Sequence, residues 1–378
     1  MNRKKILLAY ITDYSGHHRA SLAIEKALKK VSKKAEILNI DLLKYLSPLG
    51  GLILNKAYLR MLAKNPKTWE YLYDDPKVYF KLSKWIDRLA AFKSFKLAKL
   101  IRKFNPDVIC CTQAFPALML AEFKSRDFWN MALTPIVGVL TDYSPHRYWV
   151  HPNIDLYVVP SKETGEVLVA KGARADRIKD FGIPIDPKFL LIDHIKREEV
   201  FRRLQLVESL PVVLMMGGSQ GLGPIKEIIR GFNKFSPSFQ LVVVCGQNQK
   251  LKEEIEKELP FLHYPIKVLG YVENINELMK ISSLMITKPG GLTVSECLAC
   301  GLPMVITSPI PGQEALNARF LLEHHLAVNA LNGEDAAQAA IRLLENHEAR
   351  ERMRSQAKIY AKPDAALTIA QALIKGWD

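Results

Sequence analysis

The sequence predicts an α/β protein built from two doubly wound domains, and three observations carry that prediction. Apolar strand-like runs alternate with helical patterns along almost the whole chain, the rhythm of parallel sheets covered by helices. Glycine-rich turns lie after the first strand of each half, where open α/β sheets bind ligands. At 378 residues the chain also exceeds what one hydrophobic core usually organises, so two domains are expected.

The first expected strand, residues 5–11, runs into TDYSGHHRA at 12–20 and then a helix to Lys30. This junction carries titratable side chains. Strands at 36–40, 107–112, 135–140 and 155–159 complete the first half, and the seam is placed after GIPIDP, Gly182 to Pro187, giving domains 1–187 and 188–360. A basic helical stretch follows, and then the strand 212–216 breaks into GGSQGLG, Gly217 to Gly223, ahead of a helical pattern from Pro224 to Phe232. That loop matches neither the phosphate-binding lysine loop nor the GxGxxG fingerprint, which argues against an NTPase or a dehydrogenase. Strands at 241–245, 266–269, 284–287, 304–307 and 327–329 follow.

The most informative stretch is TKPGGLTVSECLACG, Thr287 to Gly301. Two glycines clear the way for an anion, and the first N–H groups of the helix point at it with the positive end of the dipole behind them. Glu296, one turn in, is placed to reach a ribose diol. An ordinary glycine turn would explain one such junction; the repetition argues for a diphosphate seat. Pro363 interrupts the helical pattern that runs from Gly333, so a bend is expected there, with the last segment, 361–378, crossing back onto the first domain.

Lys and Arg total 53 against 39 Asp and Glu, a net charge of +14, which favours an anionic surface or partner. The excess concentrates in 81–103, where eight cations and one acid interleave with Trp85, Ile86, Leu89, Phe92, Phe95, Leu97 and Leu100. One reading is a packed helix with a solvated basic face. The other is an amphipathic surface lying on an anionic bilayer, with Trp85, Arg88, Phe92, Lys93, Lys96 and Lys99 in contact. No nucleic-acid motif accompanies the charge. No run of 18 apolar residues and no signal-peptide pattern occurs, so a cytoplasmic protein is expected, peripheral to the membrane. Cys297 and Cys300 form a lone CxxC, a weak metal signal, and the five cysteines read as buried reduced thiols.

Four motifs, GHHRAS at 16–21, GGSQG at 217–221, KPGGLTVSE at 288–296 and PGQE at 311–314, resemble those of glycosyltransferase family 28. Within it the chain is most similar to monogalactosyldiacylglycerol synthases and processive diacylglycerol β-glucosyltransferases. The resemblance spans nearly the whole chain, and it implies the GT-B fold: two Rossmann-like domains facing a central cleft. It also implies a UDP-sugar donor, UDP-glucose or UDP-galactose, held by the second domain, and a diacylglycerol acceptor served by the first. Carried across, Tyr271 and Val272 border the uracil and Glu296 takes the ribose hydroxyls. Ser219, Gln220, Gly290, Gly291, Leu292 and Thr293 hold the diphosphate, while Gln313 and Glu314 read the sugar.

His18 matches the family's catalytic histidine, a base that suits alcohol deprotonation near pH 7. The register to Arg19-Ala20-Ser21 favours it over His17, although SGH replaces the usual glycine run before it. Asp142 matches a loop near the acceptor and is expected to orient or support the base. The chain has no Asp-x-Asp, so no metal and no cofactor are expected beyond the sugar donor. Two rival readings are N-acetylglucosamine transfer to a polyprenyl diphosphate acceptor, and a nucleotide-sugar sensor without turnover.

Overall fold

The computed structural model describes residues 3–13, 15–47, 95–125, 133–235, 238–309 and 312–377. The chain divides into two compact units. One comprises Met1–Pro187, Pro311–Gln313 and Asp364–Asp378; the other comprises Lys188–Ile310 and Glu314–Pro363.

In the amino unit the strands are β1 (Lys5–Tyr10), β2 (Glu36–Asp41), β3 (Val108–Cys111), β4 (Ile136–Val139), β5 (Leu156–Val158) and β6 (Ile178–Lys179). All pair in parallel, in the order β2-β1-β3-β4-β5-β6. The order reverses direction beside β1, between β1 and β3, which puts the ligand edge of the sheet at the loops leaving those two strands. Strands buried on both faces read as continuous apolar runs, such as VICC and IVGV. Their alternate residues serve different cores. Ile6 and Leu8 pack with Ala23, Ile24, Ala27 and Leu28 of α1 (Gly16–Val31), while Leu7 and Ala9 pack on the other face.

Further helices of this unit are α2 (Leu42–Leu46), α3 (residues 95–104), α4 (Ala114–Ser125) and α5 (Lys162–Ala170). Helix α3 buries Leu97, Ala98, Leu100 and Ile101 in the same core as α4. That spacing is one apolar stripe of a 3.6-residue period.

The carboxyl unit holds β7 (Val212–Met216), β8 (Gln240–Val244), β9 (Ile266–Leu269), β10 (Leu284–Thr287), β11 (Met304–Thr307) and β12 (Ala327–Ala330). They are parallel, in the order β12-β11-β10-β7-β8-β9. This is the dinucleotide-fold order, with its switch point between β7 and β10. Its helices are α6 (Arg197–Leu204), α7 (Ile225–Phe232), α8 (Gln249–Glu258), α9 (Ile275–Ile281), α10 (Gly291–Ala299), α11 (Gln313–Glu323), α12 (Gly333–Glu345) and α13 (His347–Tyr360).

Pro363 falls between α13 and the last helix, α14 (Ala365–Lys375). Proline cannot continue a helix, so the chain bends there. Ala366, Ile369, Ala370 and Leu373 of α14 then join the α1 face of the amino core, and the Lys4 ammonium donates to the Ile374 carbonyl at 3.1 Å. The strand at β6 is absent from the sequence expectation. Two residues are too short to show a period, and the ladder to β5 alone defines them.

Candidate active site

The turn between β1 and α1 is built by its own polar groups. Ser15 caps α1, accepting the His18 N–H at 3.2 Å, and its hydroxyl donates to the Thr12 carbonyl at 2.7 Å. Thr12 lies at φ 73, a left-handed conformation uncommon for a β-branched residue, and its N–H is held by the Asp41 carboxylate at 3.0 Å. The Ile11 N–H donates to Gln113, just beyond β3, at 3.0 Å. The turn is therefore anchored at the switch point of the sheet.

Consecutive residues of a helix point about 100° apart, and here the two histidines enter different surroundings. His17 turns inward. Its Nδ1 is 3.0 Å from the Thr112 carbonyl and 2.8 Å from the Thr141 hydroxyl, and Thr112 returns a bond from its hydroxyl to the His17 carbonyl at 2.8 Å. A carbonyl can only accept, so Nδ1 carries the hydrogen. Burial pushes the His17 pKa down, opposed by Asp142 and the Thr112 bond.

His18 meets other groups. Its ring stacks on Tyr10, with centroids 4.3 Å apart and planes 12° from parallel. Its Nδ1 lies 4.0 Å from Asp13 Oδ1, and 19% of the side chain is exposed. Partial burial lowers its pKa, against the opposite pull of Asp13 and Asp41. Burial disfavours the charge on Asp13, but bonds from Tyr10 and Lys44 outweigh it and hold the carboxyl below its ordinary value. The Tyr10 hydroxyl donates to Asp13 Oδ1 at 2.9 Å and Lys44 to Oδ2 at 3.2 Å. Asp142, which the sequence suggests as the support of the base, exerts its electrostatic effect on His17; the carboxylates that act most on His18 are Asp13 and Asp41.

The expected nucleotide residues follow the carboxyl ends of four strands of the second sheet, and all of them except Gln313, which groups with the amino unit, belong to the carboxyl unit. Ser219 and Gln220 lie in the loop after β7, Tyr271 and Val272 after β9, Gly290 to Glu296 after β10, and Gln313 and Glu314 after β11. A crevice at the switch point is lined by Met216, Gly217, Gly223, Thr287, Lys288 and Thr307. Gly217 has no alternative: a Cβ there would sit 2.0 Å from the Leu222 carbonyl oxygen. At Gly290, the residue before α10, a Cβ would meet nothing within 4 Å, so its surroundings are open to a ligand. Helix α10 begins without a side-chain cap or an acidic residue in its first turn, the arrangement that accepts an anion. Glu296 is 6% exposed and Tyr271 is exposed at the edge.

The sequence reading missed Lys288. Its ammonium bonds Glu314 Oε1 at 2.9 Å, with 11% and 17% of the two side chains exposed. Asn317, fully buried on α11, donates to the Pro289 carbonyl at 3.0 Å. Together these two contacts tie the first turns of α11 to the glycine turn after β10. The lysine before the glycine pair was visible in the sequence, but its partner, 26 residues on, was not.

Of the expected membrane residues, Trp85, Arg88, Phe92 and Lys93 lie outside the described residues. Lys96 and Lys99 sit exposed on α3, opposite its buried stripe, and Phe95 beside them is 75% exposed. Among the described residues no helix is long and apolar enough to cross a membrane.

Known proteins match both halves of the chain. The family described as monogalactosyldiacylglycerol (MGDG) synthase matches residues 17–185, and the glycosyltransferase family 28 C-terminal domain matches residues 212–369. A processive diacylglycerol beta-glucosyltransferase of Bacillus cereus (strain 03BB102) is 30% identical over 373 residues, 98% of this chain and 93% of the relative. Among solved structures, the S. aureus MnaA-UDP co-structure superposes with a TM-score of 0.63 at 17% identity, covering 99% of this chain and 98% of that one. Acinetobacter baumannii MurG superposes at 0.60 and 15% identity, covering 98% and 99%. These place the fold as GT-B. The chain belongs to glycosyltransferase family 28, alongside the monogalactosyldiacylglycerol synthases and processive diacylglycerol β-glucosyltransferases, and is a UDP-sugar-dependent glycosyltransferase.

Proposed function

We propose that this glycosyltransferase moves a hexose, glucose or galactose, from its UDP-sugar to diacylglycerol in a single inverting displacement. The product is a β-glycosyl diacylglycerol made at the cytoplasmic face of the membrane. The observation that carries the reading is His18. Partial burial favours its neutral form, and it sits at the start of α1, where the family match begins. A base that is neutral near pH 7 suits removal of a proton from an alcohol.

In this reading the acceptor oxygen attacks the anomeric carbon while the bond to the diphosphate breaks and UDP leaves with the electron pair. The alcohol proton passes to His18. Charge growing on UDP is met by the first N–H groups of α10 at Gly291 to Thr293 and by Ser219 and Gln220, without a divalent ion. Glu296 holds the ribose, Tyr271 and Val272 border the uracil, and Gln313 and Glu314 read the sugar hydroxyls. The name of the Bacillus cereus relative supports diacylglycerol as acceptor. The exposed cations of α3 suit a peripheral position on anionic lipid.

The test incubates purified protein with diacylglycerol in anionic vesicles and each of UDP-glucose, UDP-galactose and UDP-N-acetylglucosamine, with and without EDTA. Lipids are then identified by mass, sugar analysis and anomeric configuration. A β-hexosyl diacylglycerol, formed equally with EDTA, is the expected result. No lipid product, an α-anomer, or transfer of N-acetylglucosamine alone would overturn it.

A further inference from the structure

We propose that Asp13 is the positioning residue for His18, fixing its ring through Nδ1 so that Nε2 takes the proton of the acceptor alcohol. The inference rests on the assignment of His18 as base, and deepens it by replacing Asp142 as the supporting carboxylate.

Three observations converge on it. A carboxylate oxygen faces the His18 ring on its Nδ1 side, Asp13 Oδ1 at 4.0 Å. That distance is a charge pair and not a hydrogen bond, and catalytic bonds of this type are often long before substrate arrives. Asp13 is itself held, by the Tyr10 hydroxyl on Oδ1 and Lys44 on Oδ2. The ring cannot turn freely either, because it stacks on the same Tyr10 whose hydroxyl holds Asp13. One tyrosine thus fixes both members of the pair, and the Ser15 cap holds the first turn of the helix that carries His18.

The chemistry explains why a carboxylate belongs there. When the alcohol proton moves to Nε2, the imidazole becomes a cation in a partly buried site. A neighbouring negative charge stabilises that cation, and a carboxylate held ionised by Tyr10 and Lys44 supplies it at any pH near neutrality. At His17 the Nδ1 side is taken by a carbonyl and a hydroxyl instead of a carboxylate, and the charge of Asp142 acts on the ring without a bond to that nitrogen.

The test compares Asp13→Asn, Asp13→Glu and His18→Ala in the full-length protein, reading kcat, KM, pH profile and UDP affinity. A general base contributes about 10²–10⁴-fold, so losing its support should lower kcat roughly 10- to 100-fold in Asp13→Asn. UDP affinity and KM for UDP-sugar should change less than about twofold. The charged groups facing His18 are Asp13, Asp41 at the end of β2, and Arg19 and Glu25 on α1. Removing the first lowers the His18 pKa, so the acid limb of kcat/KM should move to lower pH. Asp13→Glu should return the limb toward its parental position and restore part of kcat. A fall in kcat with no movement of the limb means a structural role only and overturns the proposal, as does an unchanged kcat. If Asp13→Asn does not fold, Asp13→Ala takes its place with the same readings: a lowered kcat with the limb at lower pH supports the proposal, and a parental limb overturns it. Substantial activity in His18→Ala would instead remove the base assignment itself, whatever Asp13 does.

Discussion

Replacing Lys288 by Met should destabilise the carboxyl unit by about 2–4 kcal/mol, and replacing Glu314 as well should recover most of the loss. The Nζ–Oε1 separation of 2.9 Å corresponds to a gross attraction of about 6 kcal/mol at an effective dielectric of 20. That figure is not the net worth of the pair, because both charges gave up water to form it. Removing one partner of a fully buried pair costs about 3–5 kcal/mol. Here 17% of Glu314 remains exposed and water reaches it, which sets the lower range. For a unit of this size each kcal/mol is worth roughly 2–4 °C, so the melting transition should fall by about 5–15 °C. Calorimetry measures it, and under the proposed function the transition that UDP raises is the one to follow. The Lys288→Met/Glu314→Met double variant, with no stranded charge, should melt well above Lys288→Met alone. A double variant whose loss equals the sum of the singles would show that the two residues are not coupled, and the account of the α11 anchor would be wrong.

Glu296→Ala should weaken UDP binding by about 1.5–3 kcal/mol, the range for a hydrogen bond to a charged group; an unchanged dissociation constant in titration calorimetry removes Glu296 from the ribose. His17 and His18 both titrate below the ordinary 6.5 because of burial, so the unfolded chain binds more protons than the folded one as pH drops through 6.5. Stability should therefore fall from pH 6.5 downward until the folded-state pKa values are passed. Denaturant titrations at pH 7.5 and 5.5 measure the drop, and His17→Gln should flatten it; an equal slope in parent and variant would count against His17. Lys96→Gln with Lys99→Gln should weaken binding to anionic vesicles by about 2 kcal/mol at low salt, roughly 1 per cation, and leave the melting temperature unchanged since neither side chain is packed. Flotation equal to the parent would place the membrane contact elsewhere.

What could be read from the sequence divides along the range of the physics involved. Strands buried on both faces announce themselves by composition, so VVLMM at 212–216 and LMIT at 284–287 were found with their glycine turns. Helix α1 was legible from a local cap and a 3.6-residue stripe. The stretch 81–103 was legible only as a pattern with two meanings. Where the structure describes it, at α3, the apolar stripe is packed in the core and the cations are in solvent, which is the packed-helix reading and still leaves a basic face available to lipid.

The two histidines show where local reading stops. Their order in GHHRAS fixes a register but not an environment, because the groups that sequester His17 come from Thr112 and Thr141, 95 and 124 residues away. Only the parallel pairing of β1 with β3, and of β3 with β4, brings those threonines beside the start of α1. Asp13 poses the opposite difficulty, being only five residues from His18 and in the same turn. Its role was hidden because the turn at Thr12 folds it back onto β1 toward Tyr10, a direction no periodicity encodes. Asp142 shows the same limit, because its motif places it just beyond β4 while the packing decides which histidine feels its charge, and that charge acts on His17. Motif position selects which residues line a site, and only tertiary packing assigns which of them face each other; a base and its supporting carboxylate are therefore the last part of such a site to become legible.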